Sequence, residues 1–190
     1  MPGRLIYIMG PSGAGKDAVL RGVAQRMGAQ AFIASRVITR PPSSTEDGAM
    51  PVSSTEFEIM EAAGLFALSW RANELAYGIL RHIDIMLARG RDVFVNGSRA
   101  YLPHAALRYP RLVPVLLTVE PALLRDRLLS RGRETRVQIE ARLARNNRFE
   151  KLSGTAGTRL LHIDNSGALE NAIHALHAGL LAAQGEAKCG

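Results

Sequence analysis

Cysteine is all but missing from this chain. The one thiol, Cys189, sits next to the last of 190 residues. An intrachain disulfide is therefore excluded, and with it a disulfide-stapled secreted fold; a reducing, cytoplasmic setting is expected. Aromatic residues make up only 5% of the sequence. No basic stretch is interleaved with rings on which bases could stack, so the net charge of +7 is weak evidence for a nucleic-acid partner. Long apolar runs are absent as well. Nothing approaches the roughly 20 residues that a bilayer span requires, and Met1-Pro2-Gly3-Arg4 leads into the first apolar run without a signal-peptide pattern. The five histidines, His82, His104, His162, His174 and His177, have no consistent metal spacing. His174 and His177 share a helix face but lack a carboxylate or cysteine beside them. There is no internal repeat, low-complexity tract or sign of a second domain.

What is present is concentrated in one stretch, Gly10-Pro11-Ser12-Gly13-Ala14-Gly15-Lys16-Asp17. It follows the apolar run 5–9 and precedes a helical pattern over 18–27. Strand, glycine loop and helix form the context of a phosphate-binding loop. The glycines let backbone N–H groups turn inward around an anion, and the helix adds its positive N-terminal end. Lys16 supplies a mobile positive charge. The spacing predicts a nucleotide's phosphates as the ligand, held by Gly10, Pro11, Ser12, Gly13, Ala14, Gly15, Lys16 and Asp17. A dinucleotide fingerprint is not present. Asp17 stands where Ser or Thr usually offers a hydroxyl to Mg²⁺. A carboxylate there can also ligate Mg²⁺, directly or through water, or can serve only to favour the helix dipole.

The remaining pattern alternates strands and helices and predicts an α/β fold, a parallel sheet with helices on both faces. Residues 31–34 read as a second strand. Arg36 and Arg40 flank a β-like run that can bring both cations to one anion, followed by a polar loop to Ser53. Ser54 is expected to cap a helix over 55–63, stopped by Gly64. Residues 66–70 and 75–79 read as short strands, so 35–79 forms a small insertion. Trp70 reads as core, and Tyr77 as a phosphate contact or half-buried packing. A helix over 81–89 precedes a buried strand, 92–98, whose polar end places Asn96 and Ser98 where α/β sheets bind ligands. A helix over 99–109 and a strand over 112–119 follow. Pro121 opens a helix with Leu123, Leu124, Leu128 and Leu129 inward. A long helix over 135–152 carries Arg142, Arg145 and Arg148 on one face. With Arg131, this row reads as a lid over ATP or as a solvent face paired with Glu140 and Glu150. A strand over 160–163, the turn Asp164-Asn165-Ser166-Gly167 and a terminal helix over 168–183 complete the chain.

Several of these pieces together resemble the guanylate-kinase-like group of P-loop kinases. They are the glycine loop, Ile38-Thr39-Arg40, the Tyr77-Gly78 pair, and Arg131-Gly132-x-Glu134 followed by Ile139-x-x-Arg142-Leu143. The resemblance implies one kinase domain, with 35–79 binding the acceptor and 131–148 forming the lid. Within that group the chain is more similar to the ribose 1,5-bisphosphate phosphokinases of phosphonate breakdown. Ser12 to Asp17, Arg36-x-Ile-Thr-Arg40, Phe66-Ala-Leu-Ser-Trp70, Tyr77-Gly-Ile79, Asn96-Gly-Ser-Arg99 and Asp164-Asn-Ser-Gly167 carry that likeness. It implies that ATP and Mg²⁺ are used on a phosphorylated sugar. Lys16, Arg131, Arg142 and Arg145 would be catalytic and Asn165 would touch the nucleotide. Arg36, Arg40, Tyr77, Asn96, Ser98 and Arg99 would bind the acceptor. A homodimer is left open. Two departures from guanylate kinase bear on the acceptor. The glutamate that receives guanine's hydrogen bonds falls at Leu68, and the acidic positions after the central strand fall at Asn96 and Ser98. In the phosphate clamp, the second arginine falls at Ser43 and the first tyrosine near Pro51, while Arg36 is an added cation. GMP kinase and a catalytically silent binding module are the alternatives; an intact Lys16 and arginine row weigh against silence.

Overall fold

The computed structural model describes residues 2–40, 48–130, 132, 135–147 and 160–186, apart from the side chains of 142, 145–147, 185 and 186. In chain order, β1 (Leu5–Met9) leads through the glycine loop to α1 (Lys16–Met27), and β2 (Ala31–Ile33) follows. Then come β3 (Arg36–Ile38), β4 (Ala49–Pro51), α2 (Ser54–Ala62), β5 (Phe66–Ala72) and β6 (Leu75–Leu80). Next are α3 (His82–Ala88), β7 (Asp92–Asn96), a 3₁₀ turn at Arg99–Tyr101, α4 (Leu102–Arg108) and β8 (Leu112–Thr118). The chain continues through α5 (Pro121–Ser130), α6 (Arg136–Asn147), β9 (Leu161–Asp164) and α7 (Leu169–Glu186). Five strands form a sheet in the order β2-β7-β1-β8-β9, with β2–β7 and β8–β9 parallel. All five residues of β1 and of β7 are buried, as expected for sheet strands covered on both faces.

The fold divides into two compact units. The first comprises residues 1–7 and 24–113, the second residues 8–23 and 114–190. The first unit contains a second sheet, β4-β3-β6-β5. Its β5–β6 hairpin turns at Asn73 and Glu74, both at positive φ (50° and 63°), the geometry of a tight two-residue hairpin. β3 pairs antiparallel with β6 and parallel with β4. The sequence reading took 41–53 as polar loop and missed β4, because three residues including a proline carry no alternation. α2 covers one face of this sheet, with Phe57 in a cluster with Val37 and Ala76. Its N-cap is Ser53, one residue earlier than expected. The Ser53 hydroxyl accepts from the Glu56 N–H at 3.2 Å, while the Glu56 carboxylate accepts from the Ser53 N–H at 2.7 Å. The cap holds the Glu56 carboxyl below its ordinary range. The helix expected over 99–109 begins as a 3₁₀ turn and becomes α-helical only at Leu102.

Near the start of β1, the side chain of Asp92 receives the Arg4 backbone N–H at 2.8 Å and its guanidinium N–H groups at 2.5–3.3 Å. Both side chains are more than nine-tenths buried. In the second unit, Leu124 and Leu128 of α5 pack against Ile139 and Leu143 of α6. Leu129, expected inward, is 39% exposed, and Leu123 is only half-buried. The apolar stripe of α5 is one residue wide per turn, too narrow to take in all four leucines. Glu140 receives two hydrogen bonds from Arg125 of α5 at 2.7 and 2.9 Å.

Candidate active site

In the second unit, the glycine loop joins β1 to α1 as the sequence predicts. A Cβ added at Gly10 would lie 2.5 Å from the Leu117 carbonyl oxygen, so the loop leaves the sheet at van der Waals contact with β8. Gly15 has φ +84°, and a Cβ there would meet the Asn165 amide at 2.6 Å. Both positions therefore demand glycine for space, and Gly15 for conformation as well. Lys16 opens α1 and folds back over the loop. Its ammonium donates to the carbonyls of Gly10 (2.9 Å) and Pro11 (2.8 Å). Asp17 is half-buried in the first turn of the same helix.

Asn165 lies past the end of β9. Its amide Nδ2 donates to the Ala14 carbonyl at 2.8 Å, tying the loop to the turn after the last strand. Its backbone carbonyl accepts from Arg127 Nη2 at 3.0 Å. Among the described residues, three buried side-chain polar atoms make no hydrogen bond: Arg91 Nε, Arg127 Nη1 and Asn165 Oδ1. Two of the three thus belong to one group tied to the glycine loop. A donor and an acceptor buried without partners are costly, and a bound polar ligand would satisfy them. The chemistry of this end fits a nucleotide: loop amides and Lys16 for phosphates, and the Arg127–Asn165 group for polar edges. The sequence reading names Asn165 as a nucleotide contact and does not name Arg127. The available signal was its place on α5 between Leu124 and Leu128, where a half-buried arginine has no solvent-face explanation.

For Mg²⁺ the described residues offer Asp17 and no cluster of three or more His, Cys, Asp or Glu side chains. That suits Mg²⁺ in phosphoryl transfer, which is commonly held by one or two carboxylates, water and the substrate's own phosphates. Arg131 lies outside the described residues, as does Arg148. Arg142 and Arg145 lie on α6, their side chains outside the described residues.

In the first unit, strand register puts two of the acceptor candidates, Arg36 and Tyr77, on one face of the small sheet. Ile38 is opposite Tyr77, Arg36 opposite Ile79, Trp70 opposite Tyr77, and Leu68 opposite Ile79. Directly paired residues share a face, so Arg36, Tyr77, Trp70 and Leu68 lie on the same side, away from the Val37–Phe57 cluster. Arg40 follows two residues beyond β3 and is half-buried. The Tyr77 and Trp70 rings stack at 5.4 Å, only 5° from parallel, and Tyr101 stacks on Trp70 at 5.7 Å. Trp70 is buried, as expected. Leu68 is 1% exposed, so the position of the guanine-reading glutamate is occupied by a packed apolar side chain.

Asn96 ends β7 and is 6% exposed; Ser98 and Arg99 follow, half-buried. The Ser98 backbone is engaged by Tyr7 of β1. Its N–H donates to the Tyr7 hydroxyl at 2.9 Å, and that hydroxyl donates to the Ser98 carbonyl at 3.0 Å. Burial pushes the Tyr7 phenol well above its ordinary value, partly opposed by the Ser98 contact, so it stays protonated around neutrality.

Comparison with known proteins agrees with this geometry. No family model matches the chain. It is 54% identical over 177 residues to a ribose 1,5-bisphosphate phosphokinase PhnN from Azotobacter vinelandii, covering 93% of this chain and 94% of the relative. It is 50% identical over 181 residues to the protein of the same name from Pseudomonas paraeruginosa, covering 95% and 96%. Among solved structures, a guanylate kinase from Anaplasma phagocytophilum superposes with a TM-score of 0.66 at 16% identity, over 96% of this chain and 87% of that one. A gluconokinase from Sinorhizobium meliloti gives 0.54 at 21% identity, over 95% and 92%. The two structures speak for a P-loop kinase fold alone. Half of its residues are shared with full-length relatives, and on that ground the chain belongs to the ribose 1,5-bisphosphate phosphokinase family.

Proposed function

We propose that this protein transfers the γ-phosphoryl group of ATP to the anomeric phosphate of ribose 1,5-bisphosphate, giving 5-phosphoribosyl 1-diphosphate and ADP, a step of phosphonate metabolism. The observation that carries the reading from the structure is the glycine loop with Lys16 folded over it, tied through Asn165 to Arg127. An oxygen of the sugar's anomeric phosphate attacks the γ-phosphorus. One P–O bond forms, the bond from the γ-phosphorus to the bridging oxygen breaks, and ADP leaves with that electron pair. The attacking oxygen is already anionic, so no general base has a proton to remove. What the chain must supply is alignment and cancellation of repulsion between two polyanions. Lys16 neutralises the transferred group. Arg131, Arg142 and Arg145 are assigned to the same task from the lid, and Arg127 and Asn165 to holding the nucleotide. Arg36, Arg40, Tyr77, Asn96, Ser98 and Arg99 are assigned to the acceptor. Mg²⁺, when bound, offsets phosphate charge; Asp17 is assigned to its shell. A cytoplasmic setting, where ATP and Mg²⁺ are plentiful, goes with this chemistry.

The lack of carboxylates at Leu68, Asn96 and Ser98 supports a sugar phosphate over GMP as the acceptor. Guanine presents N–H donors that need acceptors. Leu68, packed on the face that carries Arg36 and Tyr77, offers none, and Asn96 and Ser98 offer no carboxylate. A buried donor left without a partner costs about 1–3 kcal/mol, so GMP is expected to lose one to several powers of ten in kcat/KM. ADP release is measured with ribose 1,5-bisphosphate and with GMP at equal concentration, and the diphosphate product is confirmed by mass. Ribose 1,5-bisphosphate is expected to be the better acceptor by about 10-fold or more. GMP as the better acceptor would restore the nucleotide-kinase reading.

The metal assignment has its own test. Asp17→Asn removes one negative charge next to the phosphates and weakens a Mg²⁺ ligand. The Mg²⁺ concentration for half-maximal activity is expected to rise about 10-fold, with the melting temperature little changed. An unchanged Mg²⁺ profile returns Asp17 to a helix-start residue that favours the dipole.

A further inference from the structure

Tyr7 is a polar residue in the middle of a strand whose other members are Leu5, Ile6, Ile8 and Met9. It has no exposed surface. An apolar residue would fill the same space without needing a partner for a buried hydroxyl. The hydroxyl instead makes two hydrogen bonds to the backbone of one residue far along the chain, accepting from the N–H and donating to the C=O of Ser98. The same Ser98 carbonyl also accepts the Tyr101 N–H at 3.2 Å, closing the 3₁₀ turn. Between Asn96 and Ser98 stands Gly97, where a Cβ would lie 2.0 Å from the Tyr7 ring. The turn therefore rests its backbone directly on the ring. Tyr101, at the far end of the 3₁₀ turn, stacks on Trp70, and Trp70 stacks on Tyr77. A continuous set of contacts runs from the Tyr7 hydroxyl through the Asn96–Tyr101 turn to the small-sheet face that carries Arg36.

We propose that Tyr7 is a positioning residue for acceptor recognition: its hydroxyl fixes the Ser98 peptide and so aims Asn96, Ser98 and Arg99 at the sugar phosphate. The inference rests on the assignment of that turn to the acceptor. Tyr7 does not touch substrate itself. Its contribution lies in holding the turn in its binding geometry before the acceptor arrives, so its loss should appear in acceptor affinity and leave the nucleotide end alone.

The test compares wild type with Tyr7→Phe, which keeps the ring and deletes the hydroxyl. KM is measured for each substrate together with kcat and the melting temperature. The acceptor KM is expected to rise about 10-fold, as both hydrogen bonds from the hydroxyl to Ser98 are lost, with the ATP KM unchanged. In a double-mutant cycle with Asn96→Ala, the two effects on acceptor KM are expected to be non-additive, since both act through one turn. A lower melting temperature with both KM values unchanged would overturn the proposal and leave Tyr7 as core packing. A rise in acceptor KM that adds fully with that of Asn96→Ala would also overturn it. If Tyr7→Phe does not fold, the Ser98 amide resonance of the wild-type protein is followed by NMR during titration with ribose 1,5-bisphosphate. A saturable shift, absent on titration with ADP, supports the positioning role; no shift overturns it. The acceptor assignment fails separately: in that case wild type itself prefers another acceptor, and the KM comparison for Tyr7→Phe is made with that one.

Discussion

Turnover of Lys16→Met is expected to fall by at least about 10³-fold with the fold intact. The ammonium opens α1 and lies over the loop carbonyls of Gly10 and Pro11. A phosphate entering the loop offers it a full negative charge in place of two neutral carbonyl dipoles, and charge-assisted hydrogen bonds are about twice as strong. During transfer the charge on the γ-phosphoryl group redistributes, and a mobile cation can follow it where backbone N–H groups cannot. Removing one preorganised donor of this kind costs about 10²–10³ in rate, and a charged one up to about 10⁵. Methionine has nearly the same length and packs along the same path, and the two half-buried hydrogen bonds to Gly10 and Pro11 are worth about 1 kcal/mol each at most. Steady-state ADP release and a thermal melt on the same preparation check both halves. A folded Lys16→Met protein with near-normal turnover would remove the loop from the mechanism.

The second large effect is on stability. Asp92→Ala should lower the melting temperature by about 6–12 °C, from about 3 kcal/mol spread over a chain of this size. Asp92 accepts the Arg4 backbone N–H and two nitrogens of its guanidinium, with both side chains nearly sealed from water. A buried pair adds little net stability over apolar residues of the same shape, because desolvating two charges nearly cancels their attraction. Deleting only one partner is different, since the remaining charge stays buried without this counter-charge. The double replacement Arg4→Met with Asp92→Leu should therefore recover much of what Asp92→Ala loses. Below its melting point the single variant should retain normal kcat. A melting temperature within 2 °C of wild type, beyond the roughly 1 °C of a good melt, would show that water or a rearranged Arg4 carries the charge.

The glycine loop between β1 and α1 was legible in the sequence because its information is local. Gly10, Gly13, Gly15 and Lys16 act through one loop between a strand and a helix that hydrophobic patterning already places. Apart from β4, the order of strands and helices along the chain was legible for the same reason. Boundaries slipped where local signals competed: Ser53 and Ser54 are both good caps, and only the Glu56 partner selects Ser53. Leu123, Leu124, Leu128 and Leu129 are equally apolar, and only the packing of α6 selects Leu124 and Leu128. What the tertiary structure alone decided are relations across long stretches of chain. Strand register puts Leu68, Trp70 and Arg36 on one face with Tyr77, although each lies in a different strand or at a different spacing. The fold brings Arg127 to Asn165 and Asn165 to Ala14, 151 residues apart. It also sets Tyr7 against Ser98, 91 residues away. Composition and periodicity report which face of an element is buried. They carry no record of which partner meets it there, because that is settled only when the sheets and helices close on one another.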